Sequence, residues 1–116
     1  MTTRMYGITN CDTVKRARAF LNERGTAFEF IDFKKAGVPP GPLAAWMGAV
    51  DWERLLNRKG NTWRQLNEAL RASVTDAASA KALMLQQPSV IKRPVVEWAD
   101  GSVSVGFDAA DWAARV

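Results

Sequence analysis

The sequence contains no histidine, and this absence removes several common kinds of active site. Catalysis of the Ser-His-Asp or Cys-His type needs an imidazole, and so do the commonest zinc sites. We therefore expect no bound metal and no permanently bound cofactor. Whatever activates a nucleophile in this chain must be a cation, a backbone amide or the dipole of a helix.

Cysteine is nearly absent as well, because Cys11 is the only one among 116 residues. A single cysteine forms no disulfide within the chain, so a reducing compartment is favoured, and any oxidised form must be resolved by an outside thiol. Long apolar runs are also missing, and the first eight residues lack the hydrophobic core of a signal peptide. We expect a cytoplasmic protein without membrane contact.

Length and composition fit one globular domain over residues 1–116, with 47% hydrophobic and 24% charged residues. Nothing in them requires more than a monomer. The net charge of +4 is a modest excess without a nucleic-acid-binding motif, so direct nucleic-acid binding is not expected. The tryptophans are predicted to pack in the core or between helices, at positions Trp46, Trp52, Trp63, Trp98 and Trp112.

The first third of the chain predicts a βαβ unit. Residues 4–8 form a short apolar run that reads as a strand, and residues 27–32 alternate apolar and polar side chains as a second strand does. Between them, the apolar side chains of residues 12–24 recur at helical spacing, at Val14, Ala17 and Leu21 with Phe20 beside them. Two parallel strands joined by a helix are the expected result.

A proline-rich break at residues 39–42 separates this unit from a middle segment that is predicted to be helical, at about residues 43–87. The predicted helices cover residues 43–50, 51–56, 62–70 and 76–87. Thr75 is a candidate N-cap for the last of them, and Pro88 ends it. The middle therefore reads as a helical insertion.

The last third predicts two strands and a helix. A third strand is expected over residues 90–92, interrupted by Arg93-Pro94 and continued over residues 95–98. Asp100-Gly101 is a strong hairpin signal before a returning strand at 103–105. With a final helix over 108–116, the order predicts an α/β fold whose four-stranded mixed sheet has a helical insertion between its βαβ and ββα halves.

Cys11 is the leading candidate for chemistry because it follows a strand and begins a helix. The unpaired amides and positive dipole of a helix N-terminus favour a thiolate, and such surroundings lower a cysteine pKa from about 8.5 to roughly 3.5–7.5. Lys15 and Arg16 lie one turn away and can add to this effect, whereas Asp12 would oppose it. The alternative is a small buried hydrophobic residue without chemistry.

Four further residues are candidates for binding. Arg58 and Arg93 could each hold an oxyanion or carboxylate through the planar donors of the guanidinium, although arginines are most often surface residues. Arg93 precedes Pro94 within a strand region, which makes that bond a candidate cis peptide. Asn10 directly precedes Cys11 and is predicted to face the same ligand.

Several segments in order resemble the ArsC/Spx family, and within it the YffB-like branch. They are Tyr6-Gly7-Ile8-Thr9-Asn10-Cys11-Asp12-Thr13, Leu55-Leu56-Asn57-Arg58-Lys59-Gly60, Gly60-Asn61-Thr62-Trp63-Arg64, Thr75-Asp76-Ala77-Ala78-Ser79-Ala80 and Val90-Ile91-Lys92-Arg93-Pro94-Val95-Val96. The resemblance covers nearly the whole chain. It implies a thioredoxin-like fold with a helical insertion and a cis Pro94 beside the active cysteine.

In the glutathione-dependent arsenate reductases of this family, a cysteine matching Cys11 attacks arsenate and three arginines bind the oxyanion. Arg58 and Arg93 match two of them. The third would fall near Gly106, where this chain has no arginine, and the histidine that precedes the cysteine in those enzymes is replaced near Gly7. The resemblance thus implies a site with fewer anion-binding groups than those reductases have.

Three functions follow as hypotheses. The leading one is a glutathione-dependent thiol oxidoreductase or thiol transferase in which Cys11 reacts and glutathione, or a partner glutaredoxin, supplies the second thiol. The second is arsenate reduction with a depleted anion site. The third is an Spx-like regulatory module that binds a protein such as RNA polymerase, although Val14 stands where a C-x-x-C switch would have its second cysteine.

Overall fold

A mixed sheet organises both ends of the chain. In the computed structural model, which describes residues 2–116, the strands are β1 (Thr3–Gly7), β2 (Phe28–Asp32), β3 (Val95–Glu97) and β4 (Val103–Val105). The helices are α1 (Asp12–Glu23), α2 (Phe33–Ala36), α3 (Pro40–Ala49), α4 (Trp52–Leu55), α5 (Asn61–Gln65), α6 (Glu68–Ala72), α7 (Ala77–Gln86) and α8 (Ala109–Arg115). None of the helices within residues 2–116 is long and apolar enough to cross a membrane.

The four strands lie in the order β2-β1-β3-β4. β1 runs parallel to β2 and antiparallel to β3, and β3 runs antiparallel to β4. Tyr6 is in register with Ile31 on one side and with Val95 on the other. The predicted four-stranded mixed sheet of a thioredoxin-like α/β fold is therefore confirmed.

α1 packs on the sheet through the residues that its sequence spacing predicted. Val14, Ala17 and Leu21 are its buried residues, because positions three and four apart lie on one side of a helix. They join strand and C-terminal side chains in one core cluster. The buried members of that cluster are Met5, Val14, Ala17, Leu21, Val96, Trp98 and Trp112.

The chain divides into two compact units. The first combines the chain up to Ala36 with Arg93–Val116, and it contains the whole sheet together with α1, α2 and α8. The second spans Gly37–Lys92 and contains α3 to α7, so it includes the segment predicted as a helical insertion. Within this second unit α7 contacts α3 and the 3₁₀ turn Pro88–Val90.

Two helix starts in the second unit differ from the sequence prediction. α3 begins at Pro40 and not at residue 43, because proline lacks only an N–H that the first turn of a helix leaves unpaired. α7 is capped by Asp76 and not by Thr75. The Asp76 carboxylate accepts the N–H of Ser79 at 2.8 Å, and the Ser79 hydroxyl accepts the N–H of Asp76 at 3.1 Å, which forms a capping box.

The continuous helix predicted over residues 62–70 is wrong. The structure has two short helices, α5 and α6, with Leu66 and Asn67 in extended conformation between them. The Asn67 side chain accepts the N–H of Leu70 at 2.7 Å and starts α6 as its N-cap. Asparagine competes with the backbone for hydrogen bonds in this way, so the apolar spacing continues while the helix does not.

The strand predicted over residues 90–92 is also wrong. Pro88 begins a 3₁₀ turn that extends to Val90, and Ile91 makes an isolated antiparallel bridge with Leu56. Hydrogen bonds from Asn57 N–H to the Val90 carbonyl (2.7 Å) and from Lys92 N–H to the Leu55 carbonyl (2.8 Å) fix this pairing. The segment is extended next to Leu56 and lies outside the four-stranded sheet.

Candidate active site

Cys11 lies where β1 gives way to α1. It is the N-cap residue of α1, its backbone is extended, and its side chain is half-buried against the core cluster. Because Tyr6 pairs with Val95 in antiparallel register, the residues after β1 and the residues before β3 lie at the same edge of the sheet. The topology therefore places Arg93 and Pro94, which directly precede β3, at the same edge of the sheet as Cys11.

The surroundings of the Cys11 sulfur favour its ionised form. Burial acts to raise the pKa of the thiol. Three groups act in the opposite direction: the backbone N–H of Val14, the guanidinium of Arg93, which acts both as a hydrogen-bond donor and as a charge, and the backbone N–H of Thr13. Together they outweigh burial, so the pKa of Cys11 lies below its ordinary value.

The helix start acts on the sulfur by proximity. The Cys11 side chain makes no regular capping hydrogen bond, so Val14 and Thr13 act as nearby N–H groups of positive partial charge. These are the amides that a helix N-terminus was predicted to supply. Lys15 and Arg16, the cations suggested by sequence proximity, are exposed, and the cation beside the sulfur is Arg93 instead.

Arg93 reaches the site from the opposite end of the chain. Its side chain is half-buried, donates a hydrogen bond to the Cys11 sulfur and adds a positive charge there. The Arg93–Pro94 peptide bond is cis, which confirms the prediction for Pro94. Pro94 is buried and its carbonyl accepts the N–H of Gly106 at 2.9 Å, while Asn10 is exposed next to Cys11.

Asp32, which the sequence did not single out, holds the loop that leads to Cys11. The Thr9 hydroxyl donates to its carboxylate at 2.6 Å, and the Thr9 N–H donates to the same oxygen at 3.3 Å. The N–H groups of Lys34 and Lys35 bind the other oxygen and begin α2. The Thr9 hydroxyl is the main reason why the pKa of Asp32 is lowered. The sequence feature that could have identified Asp32 is its position at the end of β2, the strand parallel to β1.

Replacing Asp32 by alanine is expected to lower the free energy of unfolding by about 1 kcal/mol, because the loop and α2 lose their shared acceptor. The folded-state pKa of Asp32 is lowered, so this contribution is present above the unfolded value near 3.9 and is lost as pH falls through the folded pKa. Urea unfolding of parent and variant near pH 7 and near pH 3 measures it. A stability difference that stays constant with pH would contradict this account.

Arg58 belongs to the second unit, on the link between α4 and α5. Its guanidinium carbon lies 5.6 Å from the ring centre of Trp52 and 5.8 Å from that of Trp63, and its Nη1 is 3.7 Å from the Glu53 carboxylate. These two tryptophans are half-buried, whereas Trp46, Trp98 and Trp112 are buried, so the predicted packing in the core is confirmed for the latter three.

A basic cleft of about 260 Å³ surrounds Arg58. Its lining residues all belong to the second unit, and they are Glu53, Arg54, Leu56, Asn57, Arg58, Lys59 and Lys92. The Leu56–Ile91 bridge places Lys92 beside the segment that carries the other cations. Four cations against one carboxylate suit an anionic ligand, and only Arg58 among them was predicted as a binding residue.

The structure explains why two side chains of the reductases that the sequence resembles are absent from this chain. Gly106, near which a third arginine would fall, has a φ of +83°, a conformation in which a side chain is strained. Gly7, near which a histidine would fall, is buried and packs against Val14 without room for a side chain. Within residues 2–116 no cluster of three or more His, Cys, Asp or Glu side chains could hold a metal ion.

Solved structures of other proteins share this fold. The structure matches that of the protein YffB with a TM-score of 0.92, at 45% identity and 98% coverage of both chains. It also matches an arsenate reductase (ArsC) related protein from Brucella melitensis, with a TM-score of 0.76, 48% identity, and coverage of 98% of this chain and 93% of that one.

Sequence comparison also finds relatives of this chain. An uncharacterized protein of Haemophilus influenzae is 32% identical over 110 residues, which are 95% of each chain. The model of the ArsC family matches residues 6–115, a range that contains Cys11, Arg58, Arg93 and Pro94. The chain therefore belongs to the ArsC family.

Proposed function

We propose that this protein is a glutathione-dependent thiol oxidoreductase or thiol transferase that acts through Cys11. The observation that carries the proposal is that the Arg93 guanidinium and the N–H groups of Val14 and Thr13 surround a half-buried thiol, the only one in the chain, at a helix start. A nucleophilic thiol needs a lowered pKa together with access to its substrate. Membership of the ArsC family supports thiol redox chemistry at this position in general terms.

The reaction is a pair of thiol–disulfide exchanges. The Cys11 thiolate attacks the glutathione sulfur of a glutathione mixed disulfide, the old S–S bond breaks, and the substrate leaves as a thiolate that takes up a proton. Cys11 is then joined to glutathione by a disulfide. A second glutathione, as thiolate, attacks the glutathione sulfur of that bond, which releases the Cys11 thiolate and forms oxidised glutathione. In the net reaction the substrate sulfur is reduced from disulfide to thiol, and the sulfur of the one attacking glutathione is oxidised from thiol to disulfide.

An outside thiol is required because the chain has one cysteine. Free glutathione is the simplest source, and a glutaredoxin is the alternative. We assign Arg93 to stabilise the thiolates of Cys11 and of the leaving group, and the backbone beside Pro94 to pair with the peptide part of glutathione. Asn10, exposed next to the sulfur, is assigned to contact the same ligand. Arg58, in its basic cleft, is assigned to bind a carboxylate or another anion.

Turnover with a defined substrate tests the proposal. The mixed disulfide of glutathione and 2-mercaptoethanol is incubated with the protein and glutathione, and the oxidised glutathione formed is followed through NADPH consumption by added glutathione reductase. We expect a protein-dependent rate that requires glutathione. In a second arm a glutaredoxin is added, and the rate is compared with that of the same glutaredoxin without the protein. If the protein raises the rate in neither arm, the proposal is overturned.

Replacing Arg93 by methionine is expected to raise the pKa of Cys11 and to slow the reaction several-fold near neutral pH. The substitution keeps most of the side-chain volume while it removes the hydrogen bond and the charge at the sulfur. The pH dependence of Cys11 alkylation measures both effects. Arg16→Met is the matched control, because it removes the same charge from an exposed position of α1 and should leave the pKa unchanged.

Arsenate reduction is the second candidate, and the guanidinium of Arg93 beside the sulfur is the observation that favours it. The positive φ of Gly106 counts against a third arginine near that residue. We therefore expect arsenate turnover, with glutathione and glutaredoxin present, to be far slower than turnover of the mixed disulfide. Faster turnover of arsenate would reverse the order of the two candidates.

A further inference from the structure

Gly7 does not have the positive φ that would require a glycine at its position. It is the last residue of β1, and it pairs with Asp32 of β2. Glycine in a strand loses backbone entropy on folding and offers no side chain to pack, so it weakens the strand. Its presence in a buried strand therefore calls for another reason.

The reason is space. A Cβ atom on Gly7 would lie 2.9 Å from Cγ2 and 3.2 Å from Cγ1 of Val14, and 3.5 Å from the Phe30 ring. The first distance is shorter than real carbon contacts, so one of the two residues would have to move. Val14 cannot turn aside easily, because it is fully buried in the core cluster and valine is stiff about χ1.

Val14 is also the residue whose backbone faces the sulfur. α1 begins at Asp12, so Val14 is its third residue, and the N–H of a third residue points toward the side chain of the N-cap. Here the N-cap is Cys11. The side chain of Val14 therefore touches Gly7, while its N–H acts on the Cys11 sulfur.

We propose that Gly7 is a positioning residue for the Cys11 thiolate: the missing side chain lets the first turn of α1 lie against β1, where the Val14 N–H reaches the sulfur. A side chain at position 7 pushes Val14 outward, and the N–H moves away from the sulfur with it. The inference rests on the proposed role of the Cys11 thiolate, but its test reads the thiol pKa and not turnover.

The contact at Gly7 differs from the other close glycine contact in the described chain. A Cβ on Gly60 would lie 2.8 Å from the side-chain nitrogen of Asn57, the far end of a flexible side chain that can move. At Gly7 the neighbour is a branched side chain inside the core. A substitution at Gly60 is therefore absorbed locally, whereas one at Gly7 shifts the start of α1.

The test compares Gly7→Ala, Val14→Ala and the double variant by the pH dependence of thiolate absorbance and of Cys11 alkylation. We expect Gly7→Ala to raise the pKa of Cys11 and to slow alkylation several-fold near neutral pH. Val14→Ala keeps the backbone N–H and should leave the pKa near that of the parent. The double variant removes the clash and should return the pKa toward the parent value.

A control separates this role from a general loss of stability. Val96 is buried in the same core cluster but lies on β3, so Val96→Ala should destabilise the fold without moving the pKa of Cys11. An unchanged pKa in Gly7→Ala overturns the inference. A raised pKa that the double variant does not restore overturns the route through Val14.

If Gly7→Ala does not fold, the inference can still be tested. In that case the double variant is compared with Val14→Ala, and the inference requires that both fold and share a pKa close to that of the parent. An ordinary pKa in the parent protein would count against the proposed function itself. A low pKa in the parent with no effect at position 7 would count against this inference alone.

Discussion

Replacing Cys11 by serine is expected to reduce turnover of the glutathione mixed disulfide to the rate of the uncatalysed exchange. Serine keeps the size of the side chain but has no ionisable thiol, and the chain contains no second cysteine to take over. The effect should be the largest of any single substitution on activity. The glutathione reductase-coupled assay measures it, with added oxidised glutathione as a check that the coupling enzyme works.

The same variant should remain folded. Cys11 is half-buried at the margin of the core cluster, so an isosteric change there costs little packing. Far-ultraviolet circular dichroism and urea unfolding provide the control. Turnover by Cys11→Ser at a rate near that of the parent would show that the chemistry does not pass through the sulfur.

The free energy of unfolding should also depend on pH because Cys11 ionises more readily in the folded chain. The pKa of Cys11 is lower in the folded chain than in an unfolded one, where it is about 8.5, so the unfolded chain binds more protons between the two values. The stability of the parent relative to Cys11→Ser should therefore rise with pH up to about 8.5. As pH falls through the folded pKa, this difference is lost.

Replacing Trp112 by alanine is expected to lower the free energy of unfolding by about 3 to 5 kcal/mol, the cost typical of deleting a buried aromatic side chain. Trp112 is fully buried and is the only buried residue of α8. Its ring centre lies 4.8 Å from that of Phe107 and 5.0 Å from that of Trp98, both in edge-to-face geometry. Such pairs add to the energy of apolar burial.

Urea unfolding followed by circular dichroism measures this loss. Trp52→Ala is the control, because it deletes the same side chain from a half-buried position in the second unit and should cost less than half as much. Trp112→Phe should recover part of the stability. A cost below about 1 kcal/mol for Trp112→Ala would contradict the view that this residue fastens α8 to the core.

Local sequence patterns predicted the parts of the fold that depend on neighbouring residues along the chain. The buried residues of α1 follow from apolar spacing, and the β3-β4 hairpin follows from Asp100-Gly101, where Trp98 N–H binds the Ser102 carbonyl at 2.8 Å. The errors came where tertiary partners or side-chain capping override such patterns. Asn67 divides a helix by capping the next one, and Ile91 pairs with Leu56 outside the sheet.

The candidate site divides in the same way. Cys11 could be found because a lone cysteine at a strand–helix junction is a local feature, and Arg93 because an X-Pro bond within a strand region is unusual. That Arg93 and not Lys15 or Arg16 faces the sulfur depends on the pairing of β1 with β3. The close contact between Gly7 and Val14 is a distance in three dimensions, and no sequence pattern contains it.

The reaction of Cys11 with oxidised glutathione as a function of pH tests the central claim most directly. Intact mass spectrometry follows the formation of the mixed disulfide over time at each pH. We predict one glutathione per chain, bound at Cys11, with a midpoint of the rate profile clearly below the value of about 8.5 for a free cysteine. Absence of the adduct, or a midpoint at or above that value, would contradict the assignment of Cys11 as a reactive thiolate.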